Sequence, residues 1–594
     1  MKNVVSVFPG RTLQLHTTRS WDFLGFPSTV RRMPTIESDV IIGMIDSGIW
    51  PESESFSDNG ISPPPSKWKG ICQNITCYSY KSDNKYAEDE EKSPRDIEGH
   101  GTHTASTVAG VEVKHTSLFG IAEGTVRGAV PSARIAVYKV CWKDGCAEHD
   151  ILAAFDDAIK DGVDILSVSL GGPGAIDFMR DVIAIGAFHA MEKGILTSTS
   201  AGNLGPEIAT IINLAPWMLT GHTINTFQTE KKASPIIYAG DHAAHNSGTE
   251  DARACNPGSL DKDFVKGKIV FCNTFSDDDT IFNDTTFSYL LPATAISIAD
   301  GKKLKLYLNS TRIPMAKIYK SQAIHDPKAL HVALFSSRGS NTLSPNILKP
   351  DLSAPGVDIL VAWSPKAIVS GDIGDKRSVM YNIISGTSMS CPHATGAAAY
   401  VKTFHPSWSP ATIKSALMTT TSPINPSYHR ETELAYGAGQ IDPIKAVNPG
   451  LVYDTLKPDY IQGLCNLGFN PDYIKILAGD NVTCVKQNGT DALLNYPSMG
   501  ASVTVGWDID WFFPRTVTNV GFPNSTDKVT VGPQKRLNVT VNPNVLSFKS
   551  LNEKKQYTVH VTRAGITKYT TISTWLLWSD GIHNVRSPIS FWDT

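Results

Sequence analysis

Between residues 40 and 203 near-continuous apolar runs alternate with segments of helical periodicity. That alternation restricts the chain to a parallel sheet with helices on both faces. The runs at 39–45, 134–140, 164–170 and 194–200 read as strands, and 101–109, 150–160 and 182–192 as helices. Ile151, Leu152, Ala154, Phe155, Ala158 and Ile159 recur at helical spacing. Ligands in such folds lie beyond the carboxyl ends of the strands. Asp46 and Asn203 each close an apolar run there.

With 594 residues the chain exceeds a single core, so about two to four domains are expected. From 221 to 332 the pattern breaks into a charged, turn-rich stretch. Its short β-like runs at 268–272, 293–298 and 303–308 predict a β-rich insert. The α/β pattern then resumes, with a strand at 358–363, a helix from Ser388 to Val401 and another at 411–418. Pro410 stands where helix starts favour proline. From about 495 short alternating runs, as at 516–518, 537–541 and 557–561, predict a separate β-sandwich. A net charge of −3 offers no basic surface for nucleic acid, and no apolar run reaches the length of a membrane span. Residues 1–10 are too polar for a signal peptide.

Asp46 sits in Asp-Ser-Gly, His100 in Gly-His-Gly-Thr-His-Thr and Ser388 in Ser-Gly-Thr-Ser-Met-Ser. A serine hydroxyl needs a base within hydrogen-bond reach and a third group to hold that base. His100 is the candidate base and Asp46 its orienting carboxylate. Ser388 at a helix start would lie beside free backbone N–H groups, and Asn203 would add a side-chain donor to an oxyanion. Taken singly, each motif is a strand-end turn or a loop. An aspartic dyad needs a second Asp-Thr/Ser-Gly, which is missing, and residue 390 is Ser where the lipase-type elbow has Gly. His103 and His393 are expected to pack rather than react. The argument for chemistry is the three motifs together, in the order Asp, His, Ser.

Nine cysteines include the sequence-local pairs Cys72/Cys77, Cys141/Cys146 and Cys255/Cys272, a looser Cys465/Cys484, and Cys391 left over. Spacing does not fix connectivity. Asn-X-Ser/Thr triplets occur at Asn74, Asn283, Asn309, Asn481, Asn488, Asn524 and Asn538. Together these features favour a secreted, oxidised, glycosylated protein. The alternative of zinc at the two Cys-x4-Cys pairs lacks completing ligands.

The blocks VIIGMIDSGIWP (40–51), GHGTHTAST (99–107), SAGNLGP (200–206) and ISGTSMSCPH (384–393) resemble those of plant subtilisin-like serine proteases, most of all the cucumisin type. The resemblance continues through SSRG (336–339) and KPDLSAPG (349–356). It implies a subtilisin-like parallel sheet with helices on both faces, interrupted by a protease-associated insert and followed by a fibronectin-III-like β-sandwich. The implied domains are a propeptide tail (1–16), a catalytic part in two pieces (17–220 and 333–480), the insert (221–332) and the C-terminal domain (490–594). It further implies a triad of Asp46, His100 and Ser388, with Asn203 as oxyanion donor. Ser169, Leu170 and Gly171 would form an edge that pairs with an extended polypeptide substrate. The protein's own propeptide would act as inhibitor and folding aid, and no cofactor or metal is implied. Location would be extracellular; oligomeric state is left open. The chain departs from the family pattern at three places: an acidic run between Cys77 and Pro94, a jump from Thr220 to Gly221, and a polar stretch from Thr274 to Leu291. The jump predicts loss of a core strand. These departures keep a second function class in play, a non-catalytic peptide-binding relative.

Overall fold

The computed structural model describes residues 20–593 except 71, 74–75, 78–92, 144, 225–227, 230–233, 245–246, 256–258, 266–267, 273–297, 313, 317–320, 323–329, 371–373, 427–428, 430, 486–489, 534–536 and 569. Six parallel strands make the central sheet: β1 (Ile41–Asp46), β2 (Arg134–Lys139), β3 (Ile165–Val168), β4 (Leu196–Ser200), β5 (Leu219–Ile224) and β6 (Leu352–Pro355). Their spatial order is β6-β5-β4-β3-β1-β2. The order reverses between β1 and β3, which opens a crevice at their carboxyl ends.

Every residue of β1 is buried. Because side chains alternate across a strand, the apolar run feeds two cores. Ile41 and Ile45 pack with α2 (Glu148–Asp161) and α3 (Val182–Glu192), while Ile42 and Met44 pack with α1 (His100–Ala109) and α4 (Thr387–Phe404). Small residues let α4 lie close to the sheet. Ser390 Oγ donates to His222 O (2.6 Å) and Ser198 Oγ to Cys391 O (3.2 Å). α5 (Pro410–Thr419) starts at a Ser409 cap that accepts from Thr412 N (3.0 Å).

The expected loss of a core strand after Thr220 is not observed. Leu219–Ile224 lies inside the sheet, paired with β4 and β6, all six residues buried. The sheet-bearing piece therefore runs to 224 rather than 220. The expectation rested on the departure from the family pattern at this point, where Gly221, His222 and Thr223 also break the apolar run. A distant segment supplies a partner for the imidazole: His222 Nε2 donates to Ser337 O at 2.9 Å. Burial, then the neighbouring Arg338, hold its imidazole well below the usual histidine range.

In the insert, Ser234–Tyr238 and Ile269–Phe271 pair in parallel. The run at 303–308, read as a strand, is instead part of a helix, Ile298–Ser310. Lys and Leu are strong helix formers, and half-buried Leu304 and Leu308 stand four residues apart on one face. Residues 293–297, Asn74, Asn283 and Asn488 lie outside the described residues, as do the propeptide tail and the acidic run before Pro94.

The C-terminal unit is a sandwich of a four-stranded and a five-stranded sheet around one core. Its first sheet takes a strand, Leu451–Tyr453, from the piece assigned to the catalytic part; this strand pairs antiparallel with Ile509–Asn519. Tyr453 Oη reaches Tyr557 Oη (2.7 Å) and Ser587 Oγ (2.8 Å) inside the sandwich.

A buried ionic cluster fastens the sandwich to the sheet. Lys349 Nζ and Asp351 Oδ2 are 2.6 Å apart and both side chains are fully buried. Asp351 also accepts from Thr220 N (2.8 Å) and from the Tyr496 hydroxyl. Asp351→Ala leaves an ammonium buried without its counter-charge. It is expected to cost about 3–5 kcal/mol, read as a lower denaturant midpoint. A loss below about 1 kcal/mol would show that Lys349 finds other compensation.

Candidate active site

β1 ends at Asp46, whose side chain is almost wholly buried (2 % exposed). Its Oδ1 accepts from Ser47 N (2.7 Å) and lies 2.7 Å from His100 Nδ1; its Oδ2 accepts from Thr104 Oγ1 (3.0 Å). Three donors thus fix the carboxylate before any ligand arrives. His100 opens α1. The helix start can sit against the Asp-Ser-Gly turn only because residue 101 is glycine, since a Cβ there would stand 2.1 Å from Gly48 O. Asp96 secures that end of the helix. Its Oδ1 accepts from Glu98 N (2.9 Å), Gly99 N (2.8 Å) and Ser47 Oγ (3.0 Å), and its Oδ2 from Thr102 N (2.9 Å). Ser47 Oγ in turn accepts from Gly101 N (2.8 Å).

Burial opposes charge on His100, but Asp46, through its charge and hydrogen bond, and then Asp96 outweigh it. The net effect raises the His100 pKa above the ordinary 6.5. The imidazole is 31 % exposed, so its face remains open to solvent.

Ser388 is the second residue of α4, which packs on α1. Pro392 lies four residues on and has no N–H to give back to Ser388 O. Ser169 Oγ fills that vacancy, donating to Ser388 O at 2.9 Å. Ser388 Oγ donates to Ser169 O at 3.3 Å. Among the described residues Ser388 and His100 share no hydrogen bond. Asn203 is exposed, and its Oδ1 accepts from Thr387 N (2.9 Å) and Thr387 Oγ1 (3.0 Å). With the oxygen committed to Thr387, the residue before Ser388, the amide nitrogen has no protein hydrogen-bond partner among the described residues. A Cβ on Gly386 would stand 3.5 Å from Asn203 Nδ2 and 3.7 Å from Ser388 N, so both nitrogens lie beside the same glycine.

Leu170 follows β3, and its carbonyl accepts from Asn213 Nδ2 (2.9 Å). His103 Nε2 bonds Ile359 O (2.8 Å), while His393 bonds Met389 O (2.7 Å) and Ser20 Oγ (2.8 Å). Both are buried packing groups, with pKa values pushed down by burial to about 3 and about 4.

Disulfides join Cys141–Cys146, Cys255–Cys272 and Cys465–Cys484, and Cys391 is free and buried. Cys72 and Cys77 are register partners in a two-stranded ladder; their side chains lie outside the described atoms. Asn309, Asn481, Asn524 and Asn538 are all exposed. Among the described residues no helix is long and apolar enough to cross a membrane.

Sequence reasoning missed Asp96, Thr104, Thr387 and Asn213. Asp96 had a signal, an acidic side chain just ahead of a helix start. Thr104 and Thr387 lay inside motifs already noted. Asn213, within Ile-Ile-Asn-Leu, had none.

Residues 37–439 match the subtilase family, and residues 493–591 a fibronectin type-III domain. The chain is 45% identical over 636 aligned positions to subtilisin-like protease SBT4.3 of Arabidopsis thaliana, covering 99% of this chain and 86% of the relative. It is 47% identical over 637 positions to SBT4.11 and 48% identical over 613 to SBT4.9, both from the same plant, each covering 99% of this chain and 85% of the relative. The chain therefore belongs to the subtilase family of serine-type peptidases. Each alignment is longer than the chain itself, so these relatives carry internal residues that it lacks.

Proposed function

We propose that this protein is a secreted serine endopeptidase that cleaves polypeptides through an acyl-enzyme on Ser388. The observation that carries the reading is the buried Asp46 carboxylate held 2.7 Å from His100 Nδ1, which commits that nitrogen and leaves Nε2 for a serine. An extended peptide adds as a strand along residues 169–171. Ser388 Oγ leaves the Ser169 carbonyl, gives its proton to His100 Nε2 and bonds to the scissile carbonyl carbon. Asp46 stabilises the imidazolium without taking the proton. Negative charge on the former carbonyl oxygen meets Asn203 Nδ2 and Ser388 N at the start of α4. The C–N bond then breaks as His100 protonates the departing amine, and water, activated by the same base, releases the acid. Residues 225–332, once the strand ending at Ile224 is returned to the sheet, would be a shortened protease-associated insert. Three disulfides and four exposed glycosylation sequons support an oxidising, extracellular location.

The test is labelling with a fluorophosphonate serine probe, using protein secreted from a eukaryotic host with a complete propeptide supplied. Labelling that disappears in Ser388→Ala is the expected result. A soluble, cooperatively folded protein that takes no label would overturn the enzyme reading in favour of peptide binding.

A further inference from the structure

The outward face of the four-stranded sheet carries an aromatic pair beside a glycosylation sequon. Strands Ile509–Asn519, Lys554–Arg563 and Asn538–Asn542 lie side by side and antiparallel, the last at the sheet's edge. Side chains alternate along each strand. Ile509, Phe513, Val559, Val561 and Val539 turn into the sandwich core, so Phe512, His560 and Asn538 stand on the outer face. Phe512 and His560 are register partners, and their rings stack with centroids 4.0 Å apart and planes 5° from parallel. His560 Nε2 is held 2.7 Å from Asp510 Oδ1. The pair is fixed in place, yet Phe512 is 55% exposed.

The register puts Thr540 opposite His560 and Asn538 opposite Thr562. Asn538-Val539-Thr540 is the sequon, and its two defining side chains share the face of the rings. Asn538 lies one strand across and two residues along from His560, about 8 Å away by sheet spacing. Asn538 Nδ2, the atom that would carry a sugar, donates to Thr562 Oγ1 at 3.3 Å. The nitrogen thus leans over the sheet toward the strand that bears His560. A glycosylated amide keeps one N–H, so this hydrogen bond survives attachment.

We propose that Asn538 is N-glycosylated and that the first sugars of its glycan dock on the Phe512–His560 pair. Attachment forms a bond from Asn538 Nδ2 to the anomeric carbon of the first sugar. That carbon leaves the diphosphate of a lipid-linked oligosaccharide donor, and one amide proton is released. A sugar ring has C–H groups on its faces and hydroxyls at its edge. Its faces cover aromatic surface otherwise left to water, and its hydroxyls have Thr540 and Asp510 at the border of the pair. A free saccharide would lose its translational and rotational freedom to hold so small a patch, whereas a tethered glycan is already at the face. Only the secreted part of the reading above is assumed, because the donor is met in the secretory pathway; peptidase activity is not.

The test uses the full chain secreted from a eukaryotic host that makes oligomannose glycans. Occupancy is read by mass spectrometry of glycopeptides. The native protein is then digested with an endoglycosidase that cuts between the first two sugars, and release at Asn538 is timed. Asn538 is expected to be occupied. A glycan docked nine-tenths of the time is released about tenfold more slowly than from the denatured protein. Phe512→Thr is expected to bring the native rate up to the denatured one and Phe512→Tyr to leave it slow; both residues are good strand formers. His560→Thr replaces Phe512→Thr if that variant does not fold. Asn538 left bare while Asn481 or Asn524 is modified, native release as fast as denatured release, or a slow rate that the threonine variants leave unchanged overturns the proposal and leaves the secreted reading standing. Absence of sugar at every sequon overturns both.

Discussion

Asp46→Asn is expected to lower kcat/KM on the order of 10⁴-fold while leaving the fold intact, the size of loss known for removing the triad aspartate of subtilisin, a member of this family. Asp46 Oδ1 accepts from the Ser47 backbone N–H, a donor that cannot be reversed. An asparagine must therefore keep its oxygen on the Ser47 and His100 side and turn its NH₂ toward Thr104, whose hydroxyl can accept and already has Gly101 O (3.1 Å) as an alternative acceptor. The imidazole keeps its tautomer; what disappears is the negative charge that stabilises the imidazolium. The pH profile separates these effects. In the wild type His100 must be neutral to act as base, and its pKa lies above the ordinary 6.5, so the acid limb of kcat/KM falls above that pH. Without the carboxylate, burial is left to lower the pKa, and the acid limb moves to lower pH. A loss under tenfold, or an acid limb that stays in place, would show that Asp46 does not orient and charge-stabilise His100.

Gly386→Ala is expected to lower kcat by about 10²–10³-fold with little change in KM or melting temperature. That magnitude is the one known for removing a side-chain oxyanion donor in subtilisin, a member of this family. Gly386 has an extended backbone that alanine adopts without strain, with φ 160° and ψ 162°. The added methyl would meet Asn203 Nδ2 at 3.5 Å, Ser388 N at 3.7 Å and Met389 Sδ at 3.8 Å, ordinary contact distances. It fits the folded protein, yet it lies against both of the nitrogens proposed to hold the oxyanion, which would have to approach to about 3 Å of each. Interference arises only as the carbonyl oxygen moves into that space, so binding in the ground state is spared. Unimpaired kcat in a folded Gly386→Ala would place the oxyanion elsewhere.

The parallel sheet was legible because a strand buried on both faces must be apolar at consecutive positions, as Ile41 to Ile45 are. β5 defeated the expectation drawn from the break in the family pattern after Thr220, since polar residues there still form a strand of the sheet. Thr220 and His222 are buried in the middle of the sheet with partners from distant segments, Thr220 Oγ1 accepting from Lys349 Nζ (3.1 Å) and His222 Nε2 donating to Ser337 O (2.9 Å). No local pattern announces such partners. The run at 303–308 failed in the opposite way, because alternation at short range fits a strand while the helical Leu304–Leu308 face appears only once a sheet lies beneath it.

For the candidate site, the sequence by itself determined which residue types stand at strand ends and helix starts: Asp46, His100, Asn203 and Ser388. Local backbone preferences place such turns and helix starts, and these are written in the glycines and small residues around them. Only the tertiary structure decided how those groups are held. Asp96 anchors the helix start that bears His100, Thr387 aims the Asn203 amide, Ser169 takes the carbonyl that Pro392 leaves free, and Asn213 with Ile212 sets the gap between two strand ends. Asp96 acts within its own turn; the others are contacts between separate segments of the chain, made through one or two hydrogen bonds or a single packed side chain. Their geometry follows from how the sheet and helices close on one another, which no local run of residues encodes.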